Sequence, residues 1–482
     1  MHASRLLPAL VAAFALAAGC AALVRPEGDG GWSAARRRQE VATRAGAAGV
    51  ALAPAAPAPA PAGEPLDLET ALALAARGNR PIVEARQQLA IARARVDETR
   101  GRLLPAAAGS GRYTWYSDAL TNTLPEVAGL PITARAFDVR DRELGQVNGT
   151  LTVPLDLSGE IRHALAAAQA GYRGEAARLW GTRLEQEVLV VAAYFTLLES
   201  ERLREVTRQR IDVQHAQETN ARDRFDRGRL TKNELLVVQV GLKNVEQELL
   251  QRELAIAQAR WALNLAIGRP IDAPTVVADV RARPILPPVA DALETAYAHN
   301  PGLHALVEEQ QRLEATATSL ARGRLPRVAG GGAVDYSTTD ILDPTTVGSG
   351  FVGFEWDLGT DGRREARIAE ARIAAARNRT RIEEALRAIE RGIRFTHRAT
   401  EERLAALAAA EAAVGQAEEN LRIRQQQFDV GRATSEDVLD AEALLAGERA
   451  TLASALYQAQ TRRAELQGLM GAPLARLIAD GR

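Results

Sequence analysis

Hydrophobic residues recur at alternating steps of three and four along most of the chain beyond residue 64. The steps are clearest from Leu184 to Leu198 and from Leu235 to Leu249. Such spacing is typical of coiled-coil seams and predicts long helices, the first of them capped at its start by Ser158. Long helices are predicted at 158–226, 231–268, 360–429 and 434–471, and shorter ones at 81–103 and 301–324.

Two glycines interrupt the helical pattern where one long helix gives way to the next. Gly228 and Gly431 suit the left-handed position that follows a helix end. Each glycine is followed by a residue pair with the spacing of an N-cap and the third helical position. These pairs are Thr231 with Glu234 and Thr434 with Asp437. The sequence therefore predicts two helical hairpins with sharp tips.

Four other windows alternate apolar and polar residues with a period of two, which predicts β-strands. They cover about 106–117, 146–157, 328–338 and 349–358, and they hold seven of the chain's 20 aromatic residues. Aromatic rows beside strands of about ten residues are typical of membrane β-barrels. The predicted aromatic girdle consists of Tyr113, Trp115, Tyr336, Phe351, Phe354 and Trp356.

Four strands are too few to close a barrel. An open sheet edge in lipid would leave backbone groups without hydrogen bonds, at several kcal/mol each. Membrane-spanning strands would therefore have to be shared among several chains. Two soluble hairpins that cap a coiled coil are the alternative interpretation of the alternation.

The elements occur twice. The order of helix, strand pair, very long helix, turn and helix fills a first repeat at 65–270 and a second at 291–472, with a linker at 271–290 and a tail at 473–482. The first repeat has about 20 additional residues between Pro105 and Asp156, which are predicted to form a loop. The predicted fold is mainly α-helical with a β-barrel contribution.

The N-terminal residues resemble a bacterial lipoprotein signal. Residues 1–19 form an apolar, weakly basic signal peptide that ends at Cys20, where acylation is expected. An ordinary signal peptide cleaved elsewhere is the alternative. Residues 20–64 are rich in Ala and Pro and predict an extended tether, and Ala21 implies sorting to the outer membrane by the same resemblance.

Composition excludes several classes of function. A net charge of −1 gives no excess field for nucleic-acid binding, and one cysteine and six histidines make a disulfide framework or structural zinc improbable. His299 and His304 are five residues apart and do not share a helical face. With no phosphate loop or nucleophile elbow, the chain is not expected to be an enzyme or to hold a cofactor beyond the lipid. The alanine-rich stretch 405–410 lacks bulk and would let helices approach closely.

Over residues 65–472 the chain resembles the TolC-like outer membrane factor family of efflux proteins. The resemblance depends on the duplicated order, the lipoprotein-like start and the tip sequences 225–228 and 430–441. It implies a homotrimer in which 12 strands form one outer-membrane barrel and the helices form a periplasmic tunnel. It also implies a periplasmic adaptor and an inner-membrane pump of the RND type as partners.

Family positions carry over to the hairpin tips. Acidic residues six and nine places after a tip glycine form rings at the narrow entrance, and here they are Asp437, Asp440 and Glu234. Glu234 and Asp437 also stand where a carboxylate simply caps a helix, whereas Asp440 does not. The tip residues expected to contact the adaptor are Arg227, Gly228, Arg229, Leu230, Val430, Gly431, Arg432 and Thr434.

Some family members latch the closed entrance with a tyrosine before the second tip glycine and an arginine after it. This chain has Phe428 and Ala433 at those places, which leaves Arg229 and Arg432 as alternative partners. Two other functions stay open from the sequence. These are a periplasmic coiled-coil tether or adaptor without a pore, and the outer-membrane component of type I protein secretion.

Overall fold

The structure, a computed structural model, describes residues 65–124, 135–140, 142–280, 285–338, 345–358, 362–430 and 432–474. The helices are α1 (Leu68–Gly78), α2 (Arg80–Gly101), α3 (Glu160–Asp226), α4 (Lys232–Ala266), α5 (Val289–His299), α6 (Pro301–Arg322), α7 (Arg363–Asp429) and α8 (Ser435–Met470). The strands are β1 (Ala106–Trp115), β2 (Leu120–Leu124), β3 (Arg135–Arg140), β4 (Glu143–Leu155), β5 (Arg327–Ser337) and β6 (Thr346–Glu355).

The two longest helices, α3 and α7, have 67 residues each. At about 1.5 Å per residue, each is about 100 Å long. The predicted seam of α3 is buried, and Leu184, Val191 and Phe195 are each at most 3% exposed. The coiled-coil periodicity therefore predicted these helices correctly to within three residues at each end.

The start of α3 differs from the prediction that Ser158 is its N-cap. Gly159 takes that position with a left-handed φ of 76°, and the Asp156 carboxylate accepts the backbone N–H groups of Ile161 at 3.2 Å and Arg162 at 2.9 Å. Ser158 Oγ accepts only the nearer Glu160 N–H, at 3.2 Å. The longer reach of the carboxylate from the strand end explains why it replaces the serine.

The second repeat enters its long helix by a similar route. Gly362 precedes α7 with a φ of 75°. The Arg364 guanidinium donates to the Asp357 backbone oxygen at 3.1 Å and to its carboxylate at 3.0 Å. Both strand-to-helix junctions are thus fixed by an aspartate at the strand end and an arginine in the first helical turn.

Helices α1 and α5 were not predicted from the sequence. Both are 11-residue, alanine-containing segments that end at an asparagine directly before the next helix. Tyr194 of α3 holds the start of the first repeat, because its hydroxyl lies 2.9 Å from the Leu66 carbonyl oxygen and 2.6 Å from that of Ala278. Leu66 also forms a parallel bridge with Val277. Burial raises the pKa of the Tyr194 hydroxyl, which keeps it protonated as a donor.

The helices lie side by side in an order that changes along α3. Near the sheet the order is α2, α3, α6 and α7, and towards the hairpin tips it is α4, α3, α8 and α7. Within the described residues, α7 therefore forms one edge of the layer and α2 and α4 form the other. Among these helices none is long and apolar enough to serve as a membrane-spanning helix.

Four strands form one antiparallel sheet in the order β1-β4-β5-β6. They begin and end within three residues of the predicted windows. The additional residues of the first repeat were predicted to be a loop, but they include a separate antiparallel hairpin of β2 and β3. These two strands have only five and six residues, too few for a clear alternation in the sequence.

Candidate functional site

The strand register gives the four-stranded sheet one apolar and one polar face. Because β4 pairs with both β1 and β5, alternate residues of all three strands fall on a common side. The apolar side chains remain largely exposed in the single chain. The apolar face comprises Tyr113, Trp115, Val147, Leu151, Val153, Leu155, Val328, Val334, Tyr336, Val352 and Phe354. The polar face comprises Ser110, Arg112, Gln146, Asn148, Thr150, Thr152, Asp335, Ser337 and Ser349.

Aromatic side chains lie at both ends of the apolar face. Tyr113 and Trp115 pack edge to face, with ring centroids 4.6 Å apart, at the end distant from the helices, and Tyr336 lies at the same end. Phe354, which is 72% exposed and pairs with Val328, lies at the helical end, followed by Trp356. Eight residues separate Val328 from Tyr336. At about 3.4 Å per residue this is about 27 Å, close to the apolar height of about 25 Å in outer-membrane barrels.

Phe351 does not belong to this girdle, contrary to the sequence prediction. It pairs with Gly331, and the register places both on the polar face. A Cβ on Gly331 would lie 2.9 Å from the Phe351 ring, so the ring covers the bare glycine backbone. Aromatic content alone could not separate this role from that of a lipid-facing residue, because the separation requires the register.

The carboxylates of Glu234 and Asp437 both close capping boxes. The Thr231 and Thr434 N–H groups donate to them at 2.8 Å, and the two threonine hydroxyls donate at 2.7 Å. These bonds, the hydroxyl bond foremost, lower the pKa of both carboxylates. Arg424 lies 3.8 Å from the other Asp437 oxygen. The capping interpretation of these two residues is therefore confirmed, and a ring role for them stays a prediction.

Asp440 has a different environment. It is exposed on α8 one turn beyond Asp437, and it has no hydrogen-bond or ion-pair partner among the residues that the structure describes. Residues three apart share a helical face, so the two carboxylates project from the same side of α8. Asp440 is thus the acidic side chain of this pair that is exposed and not engaged by another described residue.

The tip residues predicted to contact an adaptor are mostly exposed. Gly228 has a φ of 70°, and the Arg229 N–H closes the turn on the Arg224 carbonyl at 2.8 Å. The exposed set is Arg227, Gly228, Arg229, Val430, Arg432 and Thr434. Leu230 differs, because it packs with Leu235 in the tip cluster as a hydrophobic staple. Gly431 lies outside the described residues.

A contact between the two hairpin tips was missed from the sequence. The Arg224 guanidinium of α3 lies over the Phe428 ring of α7, with its carbon 4.6 Å from the ring centroid. Leu439 of α8 also packs against the tip cluster of Ala221, Leu235 and Val238. The aromatic side chain at the latch position therefore has an arginine partner on the neighbouring hairpin rather than Arg229 or Arg432.

Other predicted features lie elsewhere. Cys20, the signal peptide and the tether fall outside the described residues. His299 Nδ1 lies 3.2 Å from the Thr295 carbonyl and His304 Nε2 lies 2.7 Å from the Ala298 carbonyl. Within the described part of the chain, no group of three His, Cys, Asp or Glu residues is placed to hold a metal ion.

Solved structures show a similar fold. CusC superposes with a TM-score of 0.71 at 15% identity, covering 84% of this chain and 92% of CusC. VceC, an outer membrane protein of Vibrio cholerae, gives 0.68 at 17% identity, covering 84% of this chain and 96% of VceC. The CmeC outer membrane channel of Campylobacter jejuni gives 0.70 at 14% identity, covering 86% of this chain and 89% of CmeC.

Sequence comparison supplies the family. No curated protein sequence matches this chain significantly. The model of the outer membrane efflux protein family matches residues 71–269 and 292–472, which is most of the chain and includes both sets of helices and strands. The described architecture, with its duplicated hairpins and one shared sheet, agrees with that match. The chain therefore belongs to the outer membrane efflux protein family.

Proposed function

We propose that this chain is one protomer of a homotrimeric exit duct in the outer membrane. Three copies of the four-stranded sheet would close a 12-stranded barrel, and the helices would line a tunnel into the periplasm. The apolar face of the sheet is the main observation that supports this proposal. Its exposed apolar band, with aromatic residues about 27 Å apart at its ends, has the height of a bilayer-facing surface. The opposite face, with Arg112, Asn148 and Asp335, suits a water-filled lumen.

The duct conducts passively and takes its substrates from an inner-membrane pump, of the RND type, through a periplasmic adaptor. The exposed turns at both hairpin tips support an adaptor contact. The lipid expected on Cys20 adds a second attachment to the outer membrane. A tether without a pore would have no use for an exposed apolar band on its strands. Protein secretion differs from small-molecule efflux in the pump and the adaptor, so the same duct geometry serves either.

Asp440 supplies the first test. Replacing Asp440 by Ala in the purified, detergent-solubilised oligomer should lower the preference for cations and raise single-channel conductance, because three unpaired carboxylates leave the entrance. The measurement is the reversal potential and conductance in a planar bilayer under a salt gradient. Glu436→Ala, a neighbouring exposed carboxylate of the same helix, serves as the control. An oligomer that opens no channel at all would contradict the duct, and equal selectivity in both variants would remove only the role of Asp440.

A further inference from the structure

Helix α4 carries apolar residues on two opposite faces. One face is buried against α3 and includes Leu235, Leu242 and Leu263. The second face lies about 170° around the helix, at 100° per residue. It follows the seam positions 236, 240, 243, 247, 250, 254, 258, 261 and 265, and its apolar members are Leu236, Val240, Leu250, Leu254, Trp261 and Leu265. Each of the six is at least 42% exposed.

A second seam with the same steps of three and four indicates a second helical partner. α4 packs mainly against α3 and lies at the edge of the layer, so the described residues leave the second face uncovered. An amphipathic helix in water normally has one apolar stripe. Leu265, at 72% exposure, and Leu250, at 66%, are therefore costly unless another surface covers them.

The opposite edge of the layer, α7, presents a complementary surface. One face of α7 packs against α8 through Leu407 and Ala410. About 170° away on the helix lies a face of small and polar residues. Its members follow steps of three and four and are Arg398, Glu402, Ala405, Ala409, Ala412, Gln416, Glu419 and Ile423. The three alanines at the centre of this face leave room for large side chains of the α4 face.

The heights of the two faces also agree. The hairpin tips lie level, because Gln217 of α3 donates to Glu442 of α8 at 2.7 Å and Arg224 lies over Phe428. Leu254 lies 22 residues from the start of α4 at Lys232, and Leu407 lies 22 residues before the end of α7 at Asp429. At about 1.5 Å per residue, both are about 33 Å from the tips.

Ala405 and Ala409 flank that level on the exposed side of α7, so Leu254 would enter the space between them. Applied to the other positions, the same level rule places Trp261 and Leu236 level with positions 400 and 425 of α7, each within two residues, or about 3 Å, of Arg398 and Ile423 respectively. The first of these pairs suits a cation–π contact, and the second an apolar one.

We infer that the second face of α4 docks on the alanine face of α7 of another copy of this chain, in the register that sets Leu254 between Ala405 and Ala409. This inference rests on the proposed duct and deepens it by naming the helical contact between protomers. The contact joins unlike edges, so it is heterologous, and three such contacts related by a threefold axis would close the ring of the proposed duct. The free edges of the sheet, β1 and β6, lie on the corresponding sides of the layer and would meet in the same ring.

Engineered cysteines test the register. The duct would carry Leu254→Cys and Ala409→Cys in one chain, and the unaltered duct, with Cys20 as the one cysteine of its sequence, is the reference for any disulfide formed through that residue. Within one chain α3 and α8 separate these two helices, so a disulfide between the new cysteines has to join two copies. Oxidation should move most of the protein to three times the chain mass on non-reducing gels. The pair Leu250→Cys with Ala412→Cys should behave alike.

The control pair is Leu254→Cys with Arg387→Cys. Arg387 lies on the same face of α7 but 22 residues from Ala409, about 33 Å further along the helix, and should give no cross-link. A second comparison is Ala409→Glu, which should weaken the trimer, against Ala406→Glu on a different face of α7, which should not.

The outcomes separate the inference from the proposed function. A trimer that conducts ions but forms no cross-link through Leu254→Cys with Ala409→Cys or through Leu250→Cys with Ala412→Cys would overturn the docking register and leave the duct intact. The same conclusion would follow if only the control pair formed a cross-link. A chain that stays monomeric and opens no channel would overturn both.

Discussion

At the scale of single residues, the two acidic residues of the second hairpin tip differ in their hydrogen bonds. Asp437 holds the first turn of α8, whereas Asp440, one turn on, holds no partner among the described residues. Sequence position alone left capping and ion selection open for Asp437, because both roles use a carboxylate at that place. The hydrogen bonds between Asp437 and Thr434 confirm the capping role, and a ring role for Asp437 stays a prediction.

Acid should loosen the second hairpin tip through Asp437. Its pKa is lowered in the folded tip, so it contributes stability above the ordinary aspartate value of 3.8, and this contribution is lost as the pH falls through the lowered value. Hydrogen exchange of the Thr434 and Asp437 amides, corrected for intrinsic rates, should therefore accelerate below about pH 4. Asp437→Asn should remove most of this pH dependence, and Asp440→Asn should leave it as it is. The same acid response in both variants would assign the loosening to other carboxylates.

The contact between Arg224 and Phe428 should help to keep the tips together. A cation–π contact at an exposed site contributes about 0.5–1 kcal/mol. If it restrains the entrance, Phe428→Leu should raise the open probability of single channels by about two- to fivefold, since each 1.4 kcal/mol corresponds to about tenfold. Phe428→Tyr, which keeps the ring face, should behave like the unaltered protein. An increase in open probability for both variants would point to packing of the ring rather than to its interaction with Arg224.

At the scale of elements, the helices were the most predictable part of the chain and the faces of the strands the least. A long helix repeats its apolar seam over many turns, so the sequence predicts it reliably. The alternation within one strand does not show how that strand pairs with its neighbours, so the sequence does not predict the register of the sheet. Phe351 was misassigned for that reason. The uncovered face of α4 was missed because its apolar positions were mixed with Lys243, Gln247 and Gln258. The helices α1 and α5 were missed because 11 residues give too few turns to establish a period.

Two glycines with similar φ values should respond differently to alanine. A Cβ added at Gly228 (φ 70°) would meet no heavy atom of the described residues within 4 Å, so Gly228→Ala should cost only the left-handed strain of about 1–2 kcal/mol. Gly471 (φ 74°) ends α8, and its Cβ would lie 2.2 Å from the His299 carbonyl oxygen. Gly471→Ala should therefore displace α5 and lower the thermal midpoint several times further. The thermal midpoints of the two variants are measured by circular dichroism. Equal decreases in the two variants would show that the backbone at His299 moves aside with little loss of stability.

At the scale of the whole molecule, attachment to the membrane should depend on the sheet more than on the lipid. We expect Cys20→Ser to lose acylation while the protein still fractionates with the outer membrane as a trimer, because the apolar band of three sheets supplies the larger apolar surface. Membrane fractionation and native gels of the two proteins check this. Release of the variant as a soluble monomer would show that the lipid is required for assembly.

The two repeats differ at the end of the sheet away from the helical tips, because only the first repeat has the additional hairpin of β2 and β3 among the described residues. Three copies arranged around an axis would present six comparable strand connections to the exterior, and only every other one would carry this pair of strands. A ligand approaching from outside the cell would therefore meet a pattern with three identical positions, while an adaptor approaching from within would meet six nearly equivalent hairpins. In the proposed trimer, a molecule that recognises this exterior should therefore find three equivalent binding sites.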